Sequence, residues 1–164
     1  MMFRPKEILD KYQDFDANKY IALGYNVLFL DVDNTIIPYY QKVPGKKERA
    51  FVDGLKGKGF EVIVFSNNTD KRVRPVAEAL GTDYYCWAFK PLPFKMLKVI
   101  KERKFDKKKV ICMGDQLLTD TLAGNLIGIY TIYVKPICPS DSITTKLNRK
   151  IERFIFKYIL HEKM

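Results

Sequence analysis

Apolar residues fall in short unbroken runs along this chain: Val27–Leu30, Val62–Phe65, Val110–Met113 and Ile129–Val134. The runs are rich in β-branched or aromatic residues and lack polar alternation, which predicts strands covered on both faces. Between them, apolar positions recur at helical spacing. Lys46–Lys58 carries them at Ala50, Phe51, Gly54 and Leu55, and Lys71–Leu80 stops at Gly81, a residue suited to the left-handed turn that ends a helix. Pro93–Arg103 opens on a proline, whose missing N–H costs nothing in a first turn, and carries Phe94, Leu97 and Ile100. Leu117–Ile127 stops at Gly128. This alternation predicts an α/β fold: a parallel sheet of about five strands with helices on both faces.

Two segments break the rhythm. Residues 2–25 read as a helix over about Lys6–Phe15 followed by an irregular approach to the first strand. Residues 142–160 read as a basic amphipathic helix, with Ile143, Leu147, Ile151, Phe154, Ile155, Tyr158 and Ile159 as its apolar stripe and Lys146, Arg149, Lys150, Arg153 and Lys157 beside it. No repeat, low-complexity tract or linker divides the chain, so residues 1–164 are expected to form a single domain with its core over about 24–136.

Charge narrows the choice of partner. With 29 Lys and Arg against 19 Asp and Glu, the net charge is +10, which favours an anionic ligand: a phosphorylated compound, a membrane face or nucleic acid. Cys86, Cys112 and Cys138 are too few and too widely spaced for a disulfide ladder or a zinc knuckle, and Cys112 lies in an apolar run where a buried thiol is expected. A reducing compartment, the cytoplasm, follows. The start of the chain is charged rather than signal-like, and no apolar run approaches the roughly 20 residues that span a bilayer. Any membrane contact is therefore expected to be peripheral.

In open parallel sheets, ligands gather beyond the carboxyl ends of the strands. The first strand runs into Asp31-Val32-Asp33-Asn34-Thr35, the second into Ser66-Asn67-Asn68, and the fourth into Gly114-Asp115, with Asp120 soon after. Lys90 precedes the helix between the third and fourth strands. Each feature alone is ordinary turn or cap chemistry, but together and in this order they meet the needs of phosphoryl transfer. Asp31 offers a rigidly held carboxylate nucleophile. Asp33, two residues on and so on the same side of an extended chain, offers an acid and base. Asp31 and Asp115 supply two carboxylates of the kind magnesium prefers. Ser66 and the amides opening the next helix, Asn67 among them, suit a phosphate oxygen. Lys90 adds positive charge, and Asp120 is placed to orient it.

These four motifs resemble those of the haloacid dehalogenase superfamily of aspartate-nucleophile phosphatases, a Rossmann-like fold, and within it the small capless subfamily IIIA of the YqeG-like type. The resemblance covers about residues 24–136. It implies Asp31 as nucleophile and metal ligand, and Asp33 as acid/base and a ligand through its carbonyl. It further implies Thr35 and Ser66 as phosphate ligands, Lys90 as charge stabiliser and Asp115 as holder of Mg2+. Asp120 matches the trailing acid, whose task, metal or lysine, stays open. Relatives of this type in mitochondria and plastids are phosphatidylglycerophosphate phosphatases, which implies a phosphorylated membrane lipid as substrate.

Spacing agrees with an open site. Thr35 to Ser66 and Ser66 to Lys90 each have room for little more than a helix and a strand, so no cap domain is expected, and Tyr39 and Tyr40 fall on a short flap. Such a site accepts a phosphate presented by something large. The terminal helix has two readings: its stripe lies on an anionic bilayer, or Leu147, Ile151, Phe154 and Tyr158 pack on the domain, the second being preferred. Two rival functions remain, a phosphatase for a soluble sugar or nucleotide phosphate, and a basic RNA- or ribosome-associated binding protein with a vestigial site. Tyr84, Tyr85 and Trp87 offer faces for base stacking but are better read as core or site-edge residues, and Asp33 argues against pure binding. A signalling receiver domain shares the phosphorylated aspartate, the Ser/Thr and the lysine but has no use for Asp33. Nucleic acid is ranked below lipid as partner, and the oligomeric state is not legible.

Overall fold

The computed structural model describes residues 2–138 and 150–160. Its centre is a parallel sheet of six strands: β1 (Glu7–Leu9), β2 (Val27–Leu30), β3 (Glu61–Phe65), β4 (Asp83–Tyr85), β5 (Val110–Gly114) and β6 (Tyr130–Val134), in the order β1-β6-β5-β2-β3-β4. Five helices accompany them: α1 (Ala17–Ala22), α2 (Lys46–Gly57), α3 (Asp70–Leu80), α4 (Phe94–Glu102) and α5 (Leu122–Ile127).

The apolar runs are central strands because both faces are covered. Leu28 and Leu30 of β2 join Val62, Val64, Ile111 and Met113 under Val52 and Leu55 of α2 and Val73 and Val76 of α3. Val27 and Phe29 point the other way, against Met96 and Val99 of α4 and Ala123 and Ile127 of α5. Gly81 and Gly128 end their helices at φ 61° and 71°, the left-handed conformation expected of them. The α5 segment begins with a π-helical turn over Leu117–Thr121 rather than as one continuous α-helix.

The chain's path fixes where a ligand belongs. From β2 it steps outward through β3 to β4, then returns to the other side of β2 for β5 and β6. The direction of winding therefore reverses beside β2, and the crevice at such a reversal, beyond the carboxyl ends, is where ligands sit in this architecture. Asp31 is the first residue past β2.

The N-terminal segment corrects the sequence reading. The helix expected over about Lys6–Phe15 is instead β1, a short 3-10 turn over Tyr12–Asp14, and then α1. Glu7, Ile8 and Leu9 pair in parallel with Ile132, Tyr133 and Val134, which covers the otherwise open edge of β6 and makes the sheet six-stranded. Tyr12, Phe15 and Tyr20 are buried, and Phe15 meets the rings of Phe51 and Phe60. Tertiary pairing here overrides a local helical pattern.

At the other end, residues 142–149 of the expected amphipathic helix lie outside the described residues. Residues 150–155 are α-helical, and Phe156–Leu160 winds as a π turn. This helix packs on the domain, but not through the side chains expected. Ile155 and Phe156 are buried against Leu117 and Tyr133, and the buried Glu152 accepts a hydrogen bond from the Leu118 N–H at 3.1 Å. Ile151, Phe154 and Tyr158 face solvent.

Candidate active site

Three carboxylates and a lysine from separate elements meet at the reversal point, with a fourth carboxylate, Asp33, at the rim. Asp31 continues the ladder of β2, its N–H donating to the Met113 carbonyl at 2.9 Å, so its side chain stands on the rigid centre of the sheet. Its Oδ1 accepts from Lys90 Nζ at 2.7 Å, and its Oδ2 lies 3.3 Å from the Thr35 hydroxyl. The same hydroxyl is 3.2 Å from Asp115 Oδ1 and bridges the two acids. Thr35 thereby links the carboxylate pair.

Lys90 is the hub. Its ammonium donates to Asp31, to Asp120 Oδ1 at 2.5 Å and to the Phe65 carbonyl at 2.8 Å, which uses all three protons. Burial alone would lower its pKa, but Asp120 and Asp31 outweigh burial and hold it above the ordinary lysine value. It stays charged. Asp120 gives its second oxygen to the Gln116 N–H and the Thr119 hydroxyl, so its task in this arrangement is to seat Lys90. That seat requires glycine at 114: a Cβ there would lie 2.2 Å from Asp120 Cγ. Gly114→Ala is accordingly expected to push Asp120 off Lys90 and lower kcat by about 10² or more, since an ångström of misplacement is enough for such a loss. Steady-state kinetics checks this, with circular dichroism confirming that the fold survives.

Asp31, Asp115 and Asp120 bring carboxylate oxygens within 4.8 Å of one another, all three buried. The three acids outnumber Lys90, the cation that bonds Asp31 and Asp120. Such an excess is costly in a dry site, and the hard oxygen donors suit a divalent cation that would cancel it. Burial, opposed by Lys90 and reinforced by Asp120 and Asp33, pushes the Asp31 carboxyl up to about 7 when no cation is bound.

The remaining predicted residues lie on the next strand and helix. The Ser66 hydroxyl accepts from the Asn68 N–H at 3.1 Å and retains its own proton to donate to a phosphate oxygen. Asn67 braces the loop that carries Lys90. Its side-chain amide is spent on the backbone of Lys90, accepting from Lys90 N–H at 2.7 Å and donating to the Lys90 carbonyl at 2.8 Å, so any hold on phosphate falls to its own backbone N–H. Asp33 sits at the rim, half-buried, where Arg72 Nε donates to Oδ1 at 2.9 Å and Asn68 Nδ2 to Oδ2 at 3.1 Å. Arg72 also donates to the Gln41 carbonyl at 2.7 Å and so ties the segment after β2 to α3.

Sequence reading missed Arg72 and Asn68. One signal was available for the arginine: a cation in the first turn of a helix works against the macrodipole and needs a local acid to explain it. Asn34 was passed over as well. It adopts φ 62°, and its Oδ1 accepts from the Tyr39 N–H at 3.3 Å and from the Cys138 thiol at 3.0 Å, which shapes the turn carrying Asp33 and Thr35. All three cysteines are free thiols, and burial pushes that of Cys112 up, so it is inert as expected.

A carboxylate at the reversal point of a parallel α/β sheet, a buried lysine and a cation-demanding acidic group define a hydrolase site of a familiar kind, and the similarities agree. A model of haloacid dehalogenase-like hydrolases matches residues 46–128. The chain is 30% identical over 153 residues to a probable phosphatase, YqeG, of Bacillus subtilis, covering 93% of this chain and 89% of that one. It belongs to the haloacid dehalogenase-like hydrolase family. It is also 26% identical over 154 residues to the chloroplastic phosphatidylglycerophosphate phosphatase 1 of Chlamydomonas reinhardtii, spanning 88% of this chain and 56% of that protein's length. The fold is shared with a crystal structure of an uncharacterized protein from Listeria monocytogenes, with a TM-score of 0.57, 16% identity, and coverage of 72% of this chain and 84% of that one.

Proposed function

We propose that this hydrolase is a Mg2+-dependent phosphatase that forms an aspartyl phosphate on Asp31, and that its substrate is a phosphorylated membrane lipid such as phosphatidylglycerophosphate. The observation that carries the chemistry is the union of Asp31, Lys90, Asp115 and Asp120 in one buried group, with oxygens of the three carboxylates within 4.8 Å of one another. Asp31, Asp115 and the Asp33 carbonyl would hold the ion, with Asp120 behind them. Bound there, magnesium supplies positive charge against the phosphoryl oxygens.

The chain's own groups supply the rest. Asp31, fixed at the carboxyl end of β2, attacks phosphorus, so the P–O bond to the leaving alcohol breaks as the new acyl phosphate bond forms. Lys90 faces the charge that develops on the phosphoryl group, and the Ser66 hydroxyl donates to one of its oxygens. Asp33, released from Arg72 as substrate enters, gives a proton to the departing oxygen and then takes one from the water that opens the acyl phosphate. Its place on the turn that follows β2 suits a group that must move by a small amount.

Two features support a large or surface-bound substrate. Between Thr35 and Ser66 the chain forms a loop, α2 and β3, and between Ser66 and Lys90 it forms α3 and β4, with no further domain over the crevice. The likeness to the phosphatidylglycerophosphate phosphatase points to the lipid in particular. Among the described residues, no helix is long and apolar enough to cross a membrane, which suits peripheral contact.

The test measures phosphate release from phosphatidylglycerophosphate in mixed micelles beside a panel of sugar and nucleotide phosphates. Lipid turnover is expected to exceed that of every soluble ester, to stop on chelation and to return with Mg2+. Asp33→Asn is expected to lower kcat by about 10²–10⁴. Equal or faster turnover of a soluble ester would replace the lipid by that ester. Salt-sensitive RNA binding without any phosphatase activity would favour the binding-protein reading.

A further inference from the structure

The segment between β4 and α4 alternates sharply in burial. Ala88 and Lys90 are buried, whereas Trp87, Phe89, Leu92 and Phe94 are 49%, 64%, 55% and 71% exposed. The buried positions anchor it. Ala88 N–H donates to the Ser66 carbonyl at 3.0 Å, Lys90 is clamped through both backbone groups by Asn67, and Lys90 Nζ reaches into the catalytic group. Trp87 N–H donates to the Asn68 carbonyl, and Lys95 Nζ to the Trp87 carbonyl at 3.1 Å. Trp87 and Phe89 adopt φ 48° and 57°, a conformation bulky residues avoid unless the surroundings impose it.

The outcome is a fixed loop that holds four large apolar side chains out in solvent beside the active site. Scattered exposed apolar residues need no explanation, but a contiguous set at the mouth of a site marks an interaction surface. Across the crevice, the segment tied to Asp33 through Arg72 adds the exposed Tyr39, Tyr40 and Val43.

Lysines outnumber acids in the two segments that form this rim. No Asp or Glu occurs between Asp83 and Glu102, a stretch with Lys95, Lys98 and Lys101 besides the buried Lys90, and none occurs between Asp33 and Glu48, a stretch with Lys42, Lys46 and Lys47. Lys42, Lys46, Lys47 and Lys71 are exposed. Apolar and aromatic tips on lysine-rich segments match the interface of an anionic bilayer, where aromatic rings sit at headgroup depth and each nearby lysine adds about 1 kcal/mol of attraction.

We propose that the Trp87–Phe94 loop, with Tyr39 and Tyr40 opposite, is an interfacial docking rim that seats the mouth of the active site on an anionic phospholipid bilayer. This deepens the lipid reading above and rests on it for why the site should face the membrane. The rim is separate from the terminal helix, whose exposed Phe154 and Tyr158 are the competing candidate for the same contact.

Trp87 is the only tryptophan, so the rim carries its own reporter. The experiment adds vesicles of equal parts phosphatidylglycerol and phosphatidylcholine to the full chain and follows Trp87 emission and co-sedimentation. A blue shift is expected, with quenching by brominated acyl chains, and both should vanish with phosphatidylcholine alone. Leu92→Ser/Phe94→Ser is expected to weaken vesicle binding by at least about tenfold while hydrolysing p-nitrophenyl phosphate at the unmodified rate, which also shows that it folds. Binding of phosphatidylglycerol vesicles without hydrolysis of phosphatidylglycerophosphate supports the rim and removes the lipid substrate. Hydrolysis of that lipid in detergent, with Trp87 unmoved by vesicles, overturns the rim and leaves the substrate. The rim is equally overturned if Phe154→Ser/Tyr158→Ser, rather than the loop variant, abolishes binding. A Trp87 shift that tracks protein concentration without vesicles assigns the surface to a second copy of this chain and overturns it too.

Discussion

Asp31→Asn is expected to cost at least about a factor of 10³ in turnover and yet to raise the melting temperature of the protein in chelator. The loss of activity follows because an amide does not attack phosphorus as a carboxylate does. The gain in stability follows from burial. Burial pushes Asp31 up to about 7, whereas an exposed aspartate ionises near 4. Between those two values the folded state binds a proton that the unfolded chain has released, so the contribution of Asp31 to stability is fully present below about pH 4 and is lost as pH rises through about 7. Above that, the ion-free protein carries a buried charge that it would be more stable without. Replacing it by a neutral isostere should raise the melting temperature at pH 8 by roughly 3 °C or more, since about 1 kcal/mol moves a domain of this size by ~2–4 °C. The difference from the unmodified chain should shrink at pH 5 and below. Saturating Mg2+ should reverse the ranking by stabilising the unmodified protein more than the variant. Calorimetry across this pH range, with and without the ion, checks each sign. A variant that melts lower than the parent at pH 8 in chelator would show that Asp31 does not carry the excess charge.

Lys90→Met is expected to act in the opposite direction on stability and in the same direction on activity. Lys90 is almost wholly buried between Asp31 and Asp120, and its ammonium is the protein's own compensation for the acidic group. Removing one partner from a buried, hydrogen-bonded ion pair leaves the others uncompensated, at a cost of about 3–5 kcal/mol. At the scale above that is a fall of more than about 6 °C. Turnover should become undetectable, because the charge facing the phosphoryl group is gone. Adding Asp120→Asn to Lys90→Met should recover part of the stability and none of the activity. Urea denaturation of the two single variants and the double measures that coupling directly. Additive effects would mean that Asp120 does not act through Lys90.

The contrast between these two variants separates what was legible in the chain from what was not. Asp31, Lys90 and Asp115 could be picked out because each follows an apolar run or opens a helix, and strand order in a parallel α/β unit sends those positions to one edge. The division of labour among them was not legible. Sequence spacing left Asp120 between metal and lysine, and only the approach over Gly114 shows its carboxylate seated on Lys90. Nor did spacing show that the side chains of Thr35 and Asn67, both assigned to phosphate, also meet Asp31, Asp115 and the Lys90 backbone. Residue type gives a side chain's hydrogen-bonding capacity but not its partner.

Arg72 makes the same point across 39 residues of chain. Its pairing with Asp33 depends on how α3 is laid against the first loop, a distance that no local pattern encodes. The N-terminal strand is a further case. Glu7-Ile8-Leu9 carries no strand signal strong enough to outweigh the helical spacing around it, and it becomes a strand because β6 offers an unpaired edge. The terminal helix reverses the matter: its amphipathic pattern was plain, but the pattern did not say which apolar side chains meet the domain. Ile155 and Phe156 do, and Ile151, Phe154 and Tyr158 do not.

The sequence by itself thus determined the parallel α/β architecture, the four helices from α2 to α5, and the carboxylate, lysine and second carboxylate of the site, because burial on both faces and helix termini leave local marks. Tertiary structure alone decided the sixth strand, the partners of Thr35, Asn67, Asp120 and Asp33, and the outward set of the apolar loop around Lys90. Those depend on distances between elements far apart in the chain, where the free energy comes from pairing and desolvation rather than from any residue's own preference.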